Sequence, residues 1–186
     1  MKRIFDIVIA FGLLILLSIP MIAIALVVRT TSKGSSIHLS KRIGKEGVIF
    51  QMPKFRSMYV ITPEVSTHEL KNSDQCITPV GRTIRKFSLD ELPQLYSILK
   101  GDMSLVGPRP ALYNQYELNI LRTNNGVDKI LPGVTGWAQV NGRDELSIVE
   151  KVELDTEYLN RQSFQFDMKI IFMTILQIFK FRGILH

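Results

Sequence analysis

Residues 7–28 have the sequence IVIAFGLLILLSIPMIAIALVV, and none of these 22 side chains is charged. A helix of this length rises about 33 Å, and the hydrocarbon core of a bilayer is about 30 Å thick. Basic residues lie on both sides of the segment: Lys2 and Arg3 precede it, and Arg29 and Lys33 follow it. The segment is therefore long and apolar enough to enter a membrane, with positive charge at both of its ends.

Three interpretations of this apolar segment compete. A cleaved signal peptide would explain the basic start and the Ala-Ile-Ala sequence at 23–25, but its apolar stretch is normally about 7–15 residues long. A spanning helix conflicts with the positive-inside rule, because both ends carry basic residues. A re-entrant helical hairpin enters and leaves the same leaflet, which keeps both ends on one side. Pro20 favours the hairpin because proline kinks a helix, and the Ser18 hydroxyl can satisfy a carbonyl that the kink frees.

The composition is that of a folded chain with few options for disulfide or zinc chemistry. Of the 186 residues, 46 % are apolar and 22 % are charged, which excludes whole-chain disorder and suits a single domain. Cys76 is the one cysteine, so an internal disulfide and a cysteine-based zinc site are excluded. The three histidines lack the H-x-x-x-H spacing of zinc hydrolases, and no G-x-x-x-x-G-K-[ST] or G-x-G-x-x-G loop is present. The formal net charge of +6 favours anionic partners.

The remainder of the chain predicts a mostly helical α+β fold with short strands. Val48 opens a β-like run that we expect to end at Pro53, because proline lacks the N–H that a strand ladder needs. Residues 61–78 are polar without a clear period and predict an exposed excursion. Gly101 is a favourable stop for the first of the predicted helices. These helices are expected over residues 88–99, 112–121, 147–159 and 166–181.

Two adjacent carboxylates, Asp90 and Glu91, are the strongest chemical signal in the sequence. Their structural explanation is a capping box, because Ser88 and Glu91 have the S-x-x-E spacing that starts a helix. A chemical role is compatible with it. A carboxylate in a first helical turn, close to Arg85 and Lys86, is favoured in its ionised form. An ionised aspartate is a usable nucleophile toward phosphorus, and an adjacent glutamate can hold a divalent cation.

Several isolated cations lie in stiff loops around this pair. Lys54 follows Pro53, Arg109 lies between two prolines, and Arg143 follows Asn-Gly. Each alone is more often a solvated surface residue, but several cations held by proline or glycine indicate an anion site. Arginine matches phosphate oxygens with two parallel hydrogen bonds, and preorganised cations stabilise a phosphoryl group in transfer.

Four ordered blocks of sequence resemble the bacterial sugar transferases, the small monotopic phosphoglycosyl transferases. The resemblance runs nearly from end to end, and the chain is similar to the bare catalytic unit without the extra membrane helices of larger members. The blocks are KFRSM at 54–58, SLDELPQL at 88–95, KGDMSLVGPRP at 100–110 and PGVTGWAQVNGR at 132–143.

The resemblance implies a reaction and roles for the residues above. A UDP-sugar would give its phospho-sugar to a polyprenyl phosphate, usually undecaprenyl phosphate, in a Mg²⁺-dependent step that releases UMP. This is the first membrane step in the assembly of capsule, lipopolysaccharide and other glycoconjugates. By similarity, Asp90 would be the nucleophile of a covalent phospho-sugar intermediate and Glu91 would bind Mg²⁺. The residues that would contact phosphate and nucleotide are Arg85, Arg109, Lys54 and Arg143.

The resemblance also implies an architecture and a location. Residues 1–30 would be a re-entrant membrane helix broken near Pro20. Residues 31–186 would be a cytoplasmic catalytic domain with interfacial amphipathic helices, at the inner membrane of a bacterium. Expected partners are membrane lipids and downstream glycosyltransferases. The family often has serine directly before the breaking proline, whereas here Ile19 separates Ser18 from Pro20. It commonly has a basic residue where this chain has Leu131.

The main alternative is a non-catalytic membrane scaffold that binds nucleotide sugars for a partner enzyme. A nucleic-acid binder is not expected, because the cations stand singly among prolines and glycines without forming a basic stripe. Residues 109–116, RPALYNQY, resemble capsule-type members, so the expected sugar is an N-acetylated hexosamine, 6-deoxy forms included.

Overall fold

The computed structural model describes residues 1–63, 65, 73–143 and 145–180, and these form a mostly helical α+β fold with short strands, as expected. Short 3₁₀ turns are present at Lys45–Gly47, Leu89–Glu91 and Val127–Lys129. The helices are α1 Lys2–Leu16, α2 Ser18–Thr31, α3 Ser73–Cys76, α4 Pro79–Lys86, α5 Gln94–Lys100, α6 Tyr116–Asn124, α7 Trp137–Val140, α8 Ile148–Arg161 and α9 Phe164–Lys180. The strands are β1 Ile37–Ile43, β2 Ile49–Phe55, β3 Ser104–Val106 and β4 Gly133–Thr135.

The apolar N-terminal segment forms two helices, α1 and α2, and the direction of the chain bends by 62° between them. The break lies at Leu17, ahead of the proline, and the Ser18 hydroxyl donates a hydrogen bond to the Ile15 carbonyl at 2.8 Å. Pro20 falls in the first turn of α2, where a missing N–H costs little. Within the described residues, no helix is by itself long and apolar enough to cross a bilayer, whereas the bent pair has the necessary length and composition.

Both ends of this helix pair contact the same folded body. Ala10 of α1 is fully buried in the main core, and α1 packs along α5. At the far end of α2, Val28 is buried in a second cluster with Phe55 and Ile84. The main core lies between α1, α5, α8, α9 and β3, and its fully buried side chains include Ile98, Met103, Tyr158 and Ile170.

Two small sheets complete the architecture. Strands β1 and β2 form an antiparallel hairpin, with registers from Ile37↔Phe55 to Ile43↔Ile49. The predicted end of a strand at Pro53 is wrong, because β2 continues through it to Phe55. Proline is tolerated on the outer edge of a two-stranded sheet, where its missing N–H breaks no ladder bond. Strands β3 and β4 are parallel, and they bring the 132–143 block beside the turn that follows β3.

The predicted helices exist with shifted boundaries. The last two, α8 and α9, lie within two residues of expectation where the chain is described, and residue 181 lies outside that part. The helix expected from residue 112 begins only at Tyr116. Gly101 does end α5, with a left-handed φ of 104°. The predicted excursion over 61–78 falls largely outside the described residues, since 64 and 66–72 are not among them.

Candidate active site

Asp90 and Glu91 lie on the 3₁₀ turn Leu89–Glu91, between α4 and α5. The predicted capping box is wrong: Ser88 has the left-handed backbone angles φ 53° and ψ 23°, and its side chain makes no cap hydrogen bond. An N-cap residue needs extended backbone angles to present its oxygen to the helix. Of the helix expected over 88–99, the structure contains only α5, which starts at Gln94. The Glu91 carboxylate is not used in a cap and contacts other segments instead.

The carboxylate of Glu91 is held by two of the predicted cations. The Arg109 guanidinium donates to both of its oxygens, with Nη2 2.5 Å from Oε1 and Nη1 3.4 Å from Oε2. The Lys54 ammonium lies 3.3 Å from Oε1. Arg109 arrives from the Gly-Pro-Arg-Pro turn after β3, and Lys54 arrives from β2. Three separate segments therefore meet at one carboxylate, which is itself almost buried.

The charges around Glu91 keep it ionised. Burial alone would raise the pKa of its carboxyl, but the charges of Arg109 and Lys54, the Arg109 hydrogen bonds and the charge of Arg143 outweigh burial. Together they hold the pKa of Glu91 well below its usual range. Glu91 is thus a permanent anion at neutral pH.

The pKa of Asp90 is shifted in the direction opposite to that of Glu91. Its side chain is buried, and burial together with the neighbouring negative charge of Glu91 raises the pKa of Asp90 above its usual range. Lys54, Arg85 and Arg109 pull the pKa down but do not compensate fully. The basic neighbours favour the ionised form of Asp90, as expected, but desolvation of the buried carboxyl outweighs their effect.

Lys54 is affected by the same crowding of charge. Burial lowers the pKa of Lys54 to about 8, and the positive charges of Arg109 and Arg42 add to this effect against the attraction of Glu91 and Asp90. Four cations, Lys54, Arg85, Arg109 and Arg143, act on the two carboxylates. The cluster therefore carries excess positive charge even when both carboxylates are ionised. Such an excess suits a ligand with several negative charges.

The structure brings all six predicted site residues into one electrostatic cluster. Arg85, in the last turn of α4, acts on Asp90, and Arg143, with a left-handed φ of 52°, acts on Glu91. Lys54 and Arg109 contact Glu91 directly. The cluster therefore combines one buried carboxyl, one ionised carboxylate and four cations.

Sequence reasoning missed residues that support this cluster. Arg42 on β1 donates to the carbonyl of Pro110 at 3.0 Å and lowers the pKa of Lys54 through its charge. Arg122 on α6 forms a buried ion pair with Asp155 on α8. Asp155 carried a signal that could have been used, since its spacing from Val152 places a carboxylate on the apolar face of α8.

The donor set is compatible with a magnesium ion completed by a substrate. Within the described ranges, no three His, Cys, Asp or Glu side chains form a metal-binding group. Mg²⁺ is usually held by one or two carboxylates together with substrate phosphates. Glu91, ionised and next to Asp90, fits this mode, and Arg109 and Lys54 would then share its oxygens with the ion.

Comparison with known proteins identifies the family of this chain. A family model described as "Bacterial sugar transferase" matches residues 1–181. The chain belongs to the bacterial sugar transferase family.

Individual relatives in this family differ in size. The "UDP-glucose:undecaprenyl-phosphate glucose-1-phosphate transferase" of Escherichia coli (strain K12) is 40 % identical over 184 residues, a match covering 95 % of this chain and 40 % of the relative. The "Undecaprenyl-phosphate galactose phosphotransferase" of Salmonella typhimurium is 40 % identical over 192 residues, covering 94 % of this chain and 39 % of the relative. A sugar transferase of Bacillus subtilis (strain 168), EpsL, is 39 % identical, and the match covers 99 % of this chain and 90 % of the relative. The chain thus spans about two fifths of the first two relatives and most of the third.

Proposed function

We propose that this protein is a phosphoglycosyl transferase that moves a phospho-sugar from a UDP-sugar to undecaprenyl phosphate and releases UMP. The observation that carries the proposal is the cluster in which Asp90 and Glu91 lie among four cations, in a chain of the bacterial sugar transferase family. Two of the relatives are named for transfer to undecaprenyl phosphate, one of glucose and one of galactose. The acceptor and the nucleotide-sugar donor are inferred for this chain from those names.

The proposed chemistry has two displacements at one phosphorus atom. The ionised Asp90 carboxylate attacks the phosphorus that bears the sugar, and the bond from that phosphorus to the bridging oxygen breaks. UMP leaves with the bridging oxygen and its electron pair, and a phospho-sugar remains esterified to Asp90. An oxygen of undecaprenyl phosphate then attacks the same phosphorus, and the Asp90 carboxylate is released unchanged.

The cations of the site have distinct tasks in this scheme. Arg109 is held in a turn with a proline on each side. Its guanidinium is therefore preorganised to donate two hydrogen bonds to a phosphate, as it does to Glu91. Arg85 acts on Asp90, which suits it to contact the phosphoryl group under attack. Lys54 and Arg143 would bind the remaining charge of the diphosphate. The four cations together outnumber the two carboxylates, and this excess positive charge offsets the repulsion between the carboxylates and an anionic substrate.

Mg²⁺ is the proposed cofactor, held by Glu91 and by the phosphates of the nucleotide. When bound, it would neutralise charge on the diphosphate and on the departing UMP. The low pKa of Glu91 supports this role, since an ionised carboxylate is a better ligand for a hard cation than a protonated one.

We also propose that the bent helix pair is a re-entrant anchor on the cytoplasmic face of a bacterial inner membrane. Both ends of the pair contact the same body: α1 through Lys2, Arg3 and Ala10, and α2 through Val28. A straight span would separate its ends by the thickness of the bilayer. An anchor that stays in one leaflet brings the site to the depth at which a soluble nucleotide sugar can meet a lipid phosphate.

A UMP-release assay tests the proposal. The purified chain in nanodiscs is given undecaprenyl phosphate, Mg²⁺ and single UDP-sugars: the glucose and galactose forms, and N-acetylated hexosamines with and without a 6-hydroxyl. We expect UMP release with one or a few of these, dependent on the lipid phosphate for turnover. Binding of UDP-sugars without UMP release from any of them would support the scaffold alternative instead.

A further inference from the structure

Arg122 on α6 and Asp155 on α8 form a buried ion pair between these two packed helices. Arg122 donates to Asp155 Oδ2 twice, from Nε at 3.0 Å and from Nη2 at 2.6 Å. The exposed fraction of the Asp155 side chain is 1 % and that of Arg122 is 11 %. Burial raises the pKa of Asp155 although Arg122 lowers it, so the pair carries a desolvation cost.

The remaining terminal nitrogen of Arg122 is directed at the candidate active site. Its Nη1 donates to the main-chain carbonyl of Arg109 at 2.8 Å. Arg109 is the residue whose guanidinium donates hydrogen bonds to both carboxylate oxygens of Glu91. With the other two nitrogens bonded to Asp155, each of the three nitrogens of the Arg122 guanidinium donates within the protein. The Arg122 side chain is therefore placed to hold the main chain of Arg109.

The turn around Arg109 is held from several directions. The carbonyl of Pro108 accepts from Gly133 N at 2.9 Å, and that of Ala111 accepts from Ile43 N at 3.0 Å. The carbonyl of Pro110 accepts from Arg42. Four consecutive carbonyls, 108–111, are thus bonded by three segments of the chain, since Arg42 and Ile43 are neighbours on β1. Arg122 supplies the bond at the one position whose side chain belongs to the site.

We propose that Arg122, oriented by Asp155, is a positioning residue that fixes the main chain at Arg109 and so aims the Arg109 guanidinium. The inference rests on the proposed function for its catalytic consequence, but the geometry it asserts is independent of that function. A displacement of about 1 Å at a group that acts on the reacting centre can cost about 100-fold in rate. Through this effect, the Arg122–Asp155 ion pair would influence the rate of turnover.

The first experiment measures the geometry without any reaction. Hydrogen exchange at the amides of Gly107, Ala111 and Leu112 is compared in the wild type and in Arg122→Met. We expect faster exchange across 107–112 in the variant, because the bond to the Arg109 carbonyl is lost. The control is Arg161→Met, which makes the same side-chain change and breaks an arginine–glutamate pair on α8 that does not reach this turn. Unchanged exchange over 107–112 in Arg122→Met would overturn the proposal.

The second experiment is a double-mutant cycle on UMP release. Arg122→Met should lower kcat/KM by about 10- to 100-fold in the wild-type background. In an Arg109→Lys background it should have almost no further effect, because the group that Arg122 positions is already gone. Losses that multiply would contradict action through Arg109. Ile170→Val, at a buried position on α9, controls for a general loss of stability.

A further variant covers the case in which Arg122→Met does not fold. Asp155→Asn keeps the shape of the side chain and weakens the orientation of Arg122, so the same exchange and cycle results are expected at smaller size. If the wild type releases no UMP while exchange over 107–112 responds as expected, the proposed function fails and the positioning role stands. If UMP release occurs and exchange does not respond, only the positioning role fails.

Discussion

Asp90 and Glu91 are neighbours in the chain with opposite protonation tendencies. Glu91 accepts hydrogen bonds from Arg109 and Lys54, which compensate its charge, whereas Asp90 is buried beside the negative charge of Glu91. Burial therefore dominates at Asp90 and raises its pKa, and the cations dominate at Glu91 and lower its pKa. Two carboxylates whose environments separate their pKa values suit two different tasks. The low pKa of Glu91 agrees with the proposed metal ligand, and the proposed nucleophile is the ionised form of Asp90, which Lys54, Arg85 and Arg109 favour.

The first prediction concerns Asp90. Asp90→Asn should lower UMP release by about 10³-fold or more, because an amide cannot form the proposed ester to phosphorus. The isosteric change removes a buried charge, so the melting temperature and sedimentation with membranes should be preserved. UMP release with a radiolabelled donor is the measurement, and Asp74→Asn at an exposed aspartate is the control. Turnover close to that of the wild type would remove Asp90 from the role of nucleophile.

The second prediction concerns Glu91. Glu91→Gln should raise the Mg²⁺ concentration needed for half-maximal UMP release by about tenfold or more, because a neutral amide is a weaker ligand for a hard cation. The variant also leaves Arg109 and Lys54 without their carboxylate, so its melting temperature is measured alongside. Glu153→Gln, on the exposed face of α8, is the matched control. An unaltered Mg²⁺ titration would contradict the metal role.

At the scale of elements, α1 is part of the folded body as well as of the apolar segment. Three polar side chains in its first two turns bond to the segment 98–106. Arg3 donates to the carbonyls of Ile98 and Met103, and Lys2 donates to that of Val106. Asp6 is buried and accepts from the Ser104 hydroxyl at 2.7 Å and from Leu105 N at 3.4 Å. The basic residues that the sequence suggested as markers of membrane orientation thus also serve as structural anchors.

The third prediction concerns this attachment. Asp6→Ala should destabilise the protein by about 1–3 kcal/mol for each buried donor left without its acceptor, the Ser104 hydroxyl and the Leu105 amide. The loosened α1 should become more sensitive to proteolysis near its start. Thermal unfolding in detergent measures the first effect and limited proteolysis the second. Asp74→Ala, the same change at an exposed aspartate, is the control, and equal effects of both variants would contradict the anchor role of Asp6.

Two occurrences of one sequence pattern had different outcomes at this scale. Ser147 and Glu150 form a capping box at the start of α8, with both reciprocal hydrogen bonds in place. Ser88 and Glu91 have the same S-x-x-E spacing and do not form one. Local preference is sufficient at Ser147, where the start of α8 is exposed and the Glu150 carboxylate accepts from the Ser147 amide. At Glu91, the long-range bonds to Arg109 and Lys54 are stronger than a cap, so the local pattern is overridden.

At the scale of the whole molecule, the arrangement of the chain predicts its topology. The start of α1 and the chain after α2 join the same body, so both should lie on the side of the membrane that carries the site. Cysteines are placed singly at Lys33 and in an extension before Met1, in a Cys76→Ser background. We expect an impermeant thiol reagent to label both only after the cells are permeabilised.

In the wild-type chain, measured separately, the native Cys76 serves as the reference for the side that carries the folded body. It should show the same requirement for permeabilisation as the two introduced cysteines. Labelling of the cysteine before Met1 in intact cells, with Lys33→Cys protected, would establish a spanning helix and contradict the re-entrant anchor.

The sequence by itself determined the features that depend on neighbours along the chain. The charge-free run of 7–28, the helical periods of α8 and α9, the stop at Gly101 and the presence of a carboxylate pair all follow from composition and local stereochemistry. Only the tertiary structure decided which cations meet Glu91, that burial raises the pKa of Asp90, and that Arg122 reaches the Arg109 carbonyl. These depend on desolvation and on contacts between distant segments, and the energies of such contacts exceed the local preferences from which a sequence is interpreted.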